Sequence, residues 1–115
     1  MTVAFDVDDT LLIPAVATGL DRDIPNYENI AILRWFKAQG HTVWIWSGGG
    51  ADYARMWSEK LGLQVDAYYG KAASGRAIAG ASAPYTPDIC FDDCVVDLAT
   101  VNVRVQRINN QRKRQ

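Results

Sequence analysis

The sequence predicts a three-layer, doubly wound α/β fold around a mostly parallel sheet of about five strands. Short apolar runs rich in β-branched and aromatic residues alternate with segments whose apolar residues recur at helical spacing. Carboxylates or small polar residues close most of the short runs, as expected where strands end at a ligand crevice.

The elements follow in order. Thr2 to Phe5 reads as a buried strand ending at Asp6, and residues 11–25, with Pro14, Gly19 and Pro25, as a loop. Asn26 is a plausible N-cap for a helix in which Ile30, Leu33, Phe36 and neighbouring Trp35 recur until Gly40 stops it. His41 to Trp46 reads as a strand running into Ser47-Gly48-Gly49-Gly50. A second helix spans Ala51 to Leu61, with Ala54, Trp57 and Leu61 on one face and Gly62 as its stop. Val65 to Tyr69 reads as a third strand, residues 72–87 as a short helix and loop, and Ile89 to Phe91 as a fourth strand ending at Asp92-Asp93. Val101 to Val105 alternates apolar and polar side chains, the pattern of an edge strand. This alternation implies a Rossmann-like sheet with right-handed crossovers.

At 115 residues, 49% hydrophobic and 22% charged, the chain fits one globular domain with its own core. We place it at residues 1–108, followed by a basic tail over 109–115 to which no function is assigned. The formal net charge of −1 points to neither nucleic acid nor an anionic membrane. No run approaches the ~18 apolar residues of a membrane span, and Asp6, Asp8 and Asp9 rule out a secretory apolar segment, so a soluble, cytoplasmic protein is expected. Cys90 and Cys94, with His41 far away in sequence, make a poor zinc set and read as two small buried thiols.

The chemistry is concentrated at the strand ends. Asp6, Asp8 and Asp9 fall within four positions after an apolar run, and Thr10 follows them. Two carboxylates about 5 Å apart repel by roughly 3 kcal/mol at an effective dielectric of about 20. Such crowding calls for a cation, and a divalent metal is the natural one. Ser47 and the glycines after it offer a hydroxyl and unobstructed backbone amides to an anion. Lys71 and the Asp92-Asp93 pair add a positive charge and further metal ligands near other strand ends.

The Asp6-x-Asp8-x-Thr10 pattern after a hydrophobic strand resembles the first motif of the haloacid dehalogenase (HAD) superfamily, mostly magnesium-dependent phosphatases working through an aspartyl-phosphate. Ser47, Lys71 and Asp92-Asp93 resemble its remaining motifs, in its order, over residues 3 to about 105. The resemblance implies Asp6 as nucleophile and metal ligand. It implies Asp8 as general acid and base, with a raised pKa and a backbone carbonyl on the metal. Ser47 and Gly48 would hold the substrate phosphate, and Lys71 would neutralise both Asp6 and that phosphate. Magnesium would be held by Asp6, Asp8, Asp92 and Asp93, with Asp92 the direct ligand and Asp93 its helper; Asp97 is an alternative to Asp93. Thr10 would orient Asp8 or cap the loop, and Asp9 has no assigned role.

Superfamily members acting on small metabolites usually carry a cap domain between the first strand and its helix, or between the Ser/Thr strand and the lysine. Residues 11–25 and 48–70 are too short or too full of core elements for one, so the chain resembles a capless member with an open site. Residues 11–25, with Leu12, Ile13, Val16 and Leu20, would form the small flap of that position. Open sites take phosphorylated substrates that can be large, including a nucleic-acid end or a phosphoprotein, or use a second subunit of a homo-oligomer as lid. A phosphotransferase and a non-catalytic binding domain of the same fold are the alternatives. A response-regulator receiver domain fits less well, because its lysine comes last whereas Lys71 precedes Asp92-Asp93.

Overall fold

The computed structural model describes residues 1–71 and 86–108. Its centre is a five-stranded, all-parallel sheet made of β1 (Thr2–Asp6), β4 (Thr42–Ser47), β5 (Ala67–Gly70), β6 (Ile89–Asp92) and β7 (Val101–Arg104), in the order β5-β4-β1-β6-β7. Between β1 and β4 lie β2 (Leu12–Ile13), α1 (Ala15–Thr18), β3 (Ile24–Pro25) and α2 (Tyr27–Ala38); α3 (Ala51–Leu61) joins β4 to β5. The expected α/β Rossmann-like sheet is therefore present, with β7 at an edge as its alternation predicted.

Burial on both faces explains why the central strands read as unbroken apolar runs. Val3, Phe5, Val43 and Ile45 enter one core cluster, against Ile30 and Leu33 of α2 and Ala54 of α3. Ala4, Trp44, Trp46 and Cys90 enter another on the opposite face, with Leu98 and Ala99. Phe5 and Phe91 stack across the β1–β6 pair with ring centroids 4.8 Å apart, and such a contact is worth about 1 kcal/mol beyond the area it buries. The second described layer is thus α2 with α3, both on the first face; the helix expected within 72–87 lies mostly outside the described residues.

Helix ends follow the chemistry read from the sequence. The Asn26 side chain accepts the Asn29 amide at 3.3 Å, and α3 ends at Gly62 in the left-handed region, φ 69°. Trp35, grouped with the apolar stripe of α2, instead faces outward at 56% exposure. The strand read as 65–69 forms two residues later, as Ala67–Gly70.

Residues 11–25 are not a plain loop. Leu12 pairs with Pro25 and Ile13 with Ile24 in an antiparallel two-stranded ribbon, with the four-residue α1 between them. Two-residue strands show no period, so sequence pattern could not reveal them. Among the described residues no helix is long and apolar enough to cross a membrane.

Candidate functional site

The strand order reverses at β1, which pairs with β4 on one side and β6 on the other. Ligand crevices of open parallel sheets form outside the carboxyl ends of the strands at such a point. Asp6 ends β1, Ser47 ends β4, Asp92 ends β6, and Lys71 follows Gly70 at the end of β5. Residues far apart in sequence therefore meet around a cleft of about 340 Å³ lined by Asp6, Asp8, Asp9, Gly48, Gly49, Lys71, Asp93, Cys94 and Arg107.

Lys71 is the hub. Its Nζ lies 2.8 Å from Oδ1 of Asp6 and 2.8 Å from Oδ2 of Asp92, and 4.7 Å from the centroid of the buried Trp46 ring. Burial works to lower its pKa, but Asp6 and Asp92 raise it above the ordinary lysine range, so it stays charged. The β5 end can approach this closely because Gly70 has no side chain: a Cβ there would stand 3.3 Å from the Gly50 Cα.

Thr10 orients Asp6 rather than Asp8. Its buried Oγ1 donates to Oδ2 of Asp6 at 3.1 Å, because the amides of Thr10, Leu11 and Leu12 all turn back onto the Val7 carbonyl. The Asn29 side chain then clamps the turn from α2 by donating to the Thr10 carbonyl at 2.8 Å. Asp9 sits at φ 64°, a left-handed conformation that Asp tolerates better than most residues, and it lines the cleft.

Asp8 is exposed, and its Oδ1 accepts a hydrogen bond from Tyr53 of α3 at 2.8 Å. Burial, and next that bond, push the Tyr53 hydroxyl up to about 12, so it is a donor at any ordinary pH. Ser47 is 1% exposed and lies beneath the cleft rather than on its surface. Its Oγ accepts the Gly49 amide at 3.0 Å, which shapes the glycine loop, and Gly48 and Gly49 are the loop residues that line the cleft.

The paired acids divide their partners. Asp92 is 0% exposed and accepts from Lys71 and, at 3.0 Å, from the Cys94 amide. Asp93 reaches the cleft, where its Oδ2 accepts from Arg107 Nη2 at 2.6 Å and Nε at 3.0 Å. Asp97 is exposed and does not line the cleft. Cys90 is buried as expected, but Cys94 is exposed, with its Sγ 3.7 Å from Asp93 Oδ2. Burial and the neighbouring carboxylates raise the Cys94 pKa, which keeps it a thiol.

Burial, and next the charge of Asp92, push the Asp6 carboxyl up to about 8 against the pull of Lys71. Burial also raises Asp92. Burial works the same way on Asp93, but its hydrogen bonds with Asp6 and Arg107 outweigh it and hold that carboxyl below the usual range. The hydrogen bond between the two carboxyls thus adds to the rise at Asp6 and to the fall at Asp93.

This donor set fits a hard divalent cation. Asp6 and Asp93 turn carboxylate oxygens toward one another within the cleft, and magnesium prefers a few carboxylates completed by water and phosphate. Ligand atoms of Asp92, Asp93 and Cys94 also lie within 4.8 Å of one another, but a thiol is a soft ligand and Asp92 is already bonded to Lys71. Asp93 lines the cleft, whereas Asp92 lies beneath it on Lys71 and the Cys94 amide.

Tyr53 and Arg107 are the site residues that sequence reasoning missed. Tyr53 lies 45 positions from Asp8 and Arg107 14 positions from Asp93, and no local motif links either pair. No family model matches the chain, and neither a curated protein nor a solved structure matches it.

Proposed function

We propose that the chain is a capless, HAD-like phosphatase that requires magnesium and hydrolyses phosphomonoesters through an aspartyl-phosphate on Asp6. The observation that carries this reading is the Lys71 ammonium bridging Asp6 and Asp92 at the two strand ends that flank the switch point. A buried carboxylate oriented by Thr10 and set beside a lysine is equipped to attack phosphorus, not merely to cap a turn.

In this reading Asp6 Oδ attacks the phosphoryl group as the ester oxygen leaves. Asp8, held by Tyr53 at the cleft mouth, gives that oxygen its proton, then takes one from the water that hydrolyses the acyl-phosphate. Lys71 offsets charge on Asp6 and the phosphoryl oxygens. The Gly49 and Gly50 amides bond back to Ser47 and hold the loop in shape, and Gly48 and Gly49 line the cleft with no side chain to obstruct the phosphate. Magnesium would be held by Asp6, Asp93 and the backbone carbonyl of Asp8, and would supply positive charge to the phosphoryl oxygens.

The ribbon and α1 over residues 12–25 stand at the chain position of the superfamily's flap, and the open cleft suits substrates larger than a small metabolite. Turnover of p-nitrophenyl phosphate with magnesium, and its loss in excess chelator, tests the proposal. Equal turnover in chelator sinks the metal requirement; no turnover of any phosphomonoester under either condition sinks the reaction.

A further inference from the structure

Four carboxylates line the cleft, those of Asp6, Asp8, Asp9 and Asp93, and Lys71 and Arg107 are the cations among its lining residues. Lys71 is engaged at the back, between Asp6 and Asp92. Arg107, its side chain 35% exposed against 16% for Lys71, is the lining cation that a phosphate dianion approaching from solvent meets first. Building on the phosphatase reading, we infer that Arg107 is a substrate-binding residue that grips the phosphate at the cleft mouth.

The fold puts Arg107 there for a definite reason. β7 runs parallel to β6 with Arg104 opposite Asp92, so the chain leaving β7 emerges at the same edge as the acids. Arg104 fixes the exit by donating from Nε to the Asp93 carbonyl at 3.1 Å. Three residues on, Arg107 turns back into the cleft, and its Nε lies 3.8 Å from Asp9 Oδ2 of the β1 loop as well as bonding Asp93. Asp93 and Asp9 thus hold the guanidinium at the rim, with the side chain still 35% exposed.

Arginine is suited to this place in a way lysine is not. A planar guanidinium carries five N–H donors and can bridge a carboxylate and a phosphoryl oxygen together, in a fixed fork that matches phosphate geometry. The contacts to Asp93 run along its Nε–Nη2 edge.

The test is calorimetric titration of inorganic phosphate into the magnesium-saturated protein, for wild type, Arg107→Gln, Arg107→Lys and Arg34→Gln, with magnesium affinity measured separately in each. Arg107→Gln should weaken phosphate binding about ten- to a hundredfold, the loss of a charge-assisted hydrogen bond. Arg107→Lys should recover only part of it, and Arg34→Gln, at an exposed arginine of α2 that does not line the cleft, should change it less than about twofold. Unchanged phosphate affinity in Arg107→Gln overturns the inference. So does a loss confined to magnesium affinity, which would make Arg107 a support for Asp93 alone. Wild type that binds no phosphate overturns this inference together with the reading it rests on. Wild type that binds phosphate through Arg107 yet hydrolyses no ester leaves the anion site standing and removes the phosphatase.

Discussion

The Tyr53 hydroxyl donates to Oδ1 of Asp8 across 2.8 Å, tying the third helix to the acid that follows the first strand. The same ring lies against the glycine loop, where a Cβ on Gly49 would stand 2.9 Å from the Tyr53 Cγ. One side chain therefore couples the proposed acid and base to the proposed phosphate loop.

Tyr53→Phe should lower kcat about tenfold with KM nearly unchanged, since a single hydrogen bond of about 1.4 kcal/mol is lost and the substrate contacts remain. Steady-state kinetics on an aryl phosphate decides it. A rise in KM at constant kcat would move Tyr53 into substrate binding instead.

Gly49→Ala should reproduce that loss from the other side. The added methyl meets the Tyr53 ring, so the ring must shift, at a cost of about 1–3 kcal/mol for overpacking. Urea unfolding together with kcat reads both effects; a variant as stable and as active as wild type contradicts the coupling.

Lys71→Met should destabilise the protein by about 3 kcal/mol at pH 8, because Asp6 and Asp92 are left facing each other without their cation. The loss should shrink at pH 5, where protonation relieves the repulsion. Equal destabilisation at both values would mean that packing on Trp46, and not charge, is what Lys71 contributes.

Much of this site was legible before the structure. Asp6, Ser47 and Asp92 each close an apolar run, and the alternation of strands with helices, which implies parallel strands, places those ends on one edge of the sheet. Asn26 and Gly62 likewise marked a helix start and a helix stop where they occur. What sequence could not supply was partner choice. Thr10 bonds Asp6 and not Asp8 because three amides fold back on Val7, a turn geometry that residue identity does not encode. Cys94 is exposed although it follows a buried acid pair, since the chain leaves the sheet there. Tyr53 and Arg107 enter through tertiary packing alone.

The stability of the chelated protein should fall as pH rises from about 5 to 9. Asp6 is raised from an ordinary 3.8 to about 8 in the folded chain, so its contribution is fully present below about pH 4 and is lost as pH climbs through 8. The raised Asp92 has the same sign. Asp93, held low, acts oppositely: its contribution is present above about pH 4 and lost in acid, outside this window. Thermal unfolding of wild type and Asp6→Asn between pH 5 and 9 checks the assignment, since the variant has no proton to lose there and should show the flatter profile. Parallel profiles would place the titration elsewhere.

The most direct measurement is intact mass after rapid quench of Asp8→Asn mixed with an activated aryl phosphate and magnesium. Asp8→Asn keeps the attacking carboxylate but loses the base that activates water, so hydrolysis of the acyl-phosphate should slow by about a hundred- to ten-thousandfold. One phosphoryl group should accumulate, map to Asp6 on digestion, and be absent from the Asp6→Asn protein. Phosphate found on another residue, or an Asp6→Asn protein that still turns over with no covalent species in Asp8→Asn, would contradict the covalent mechanism.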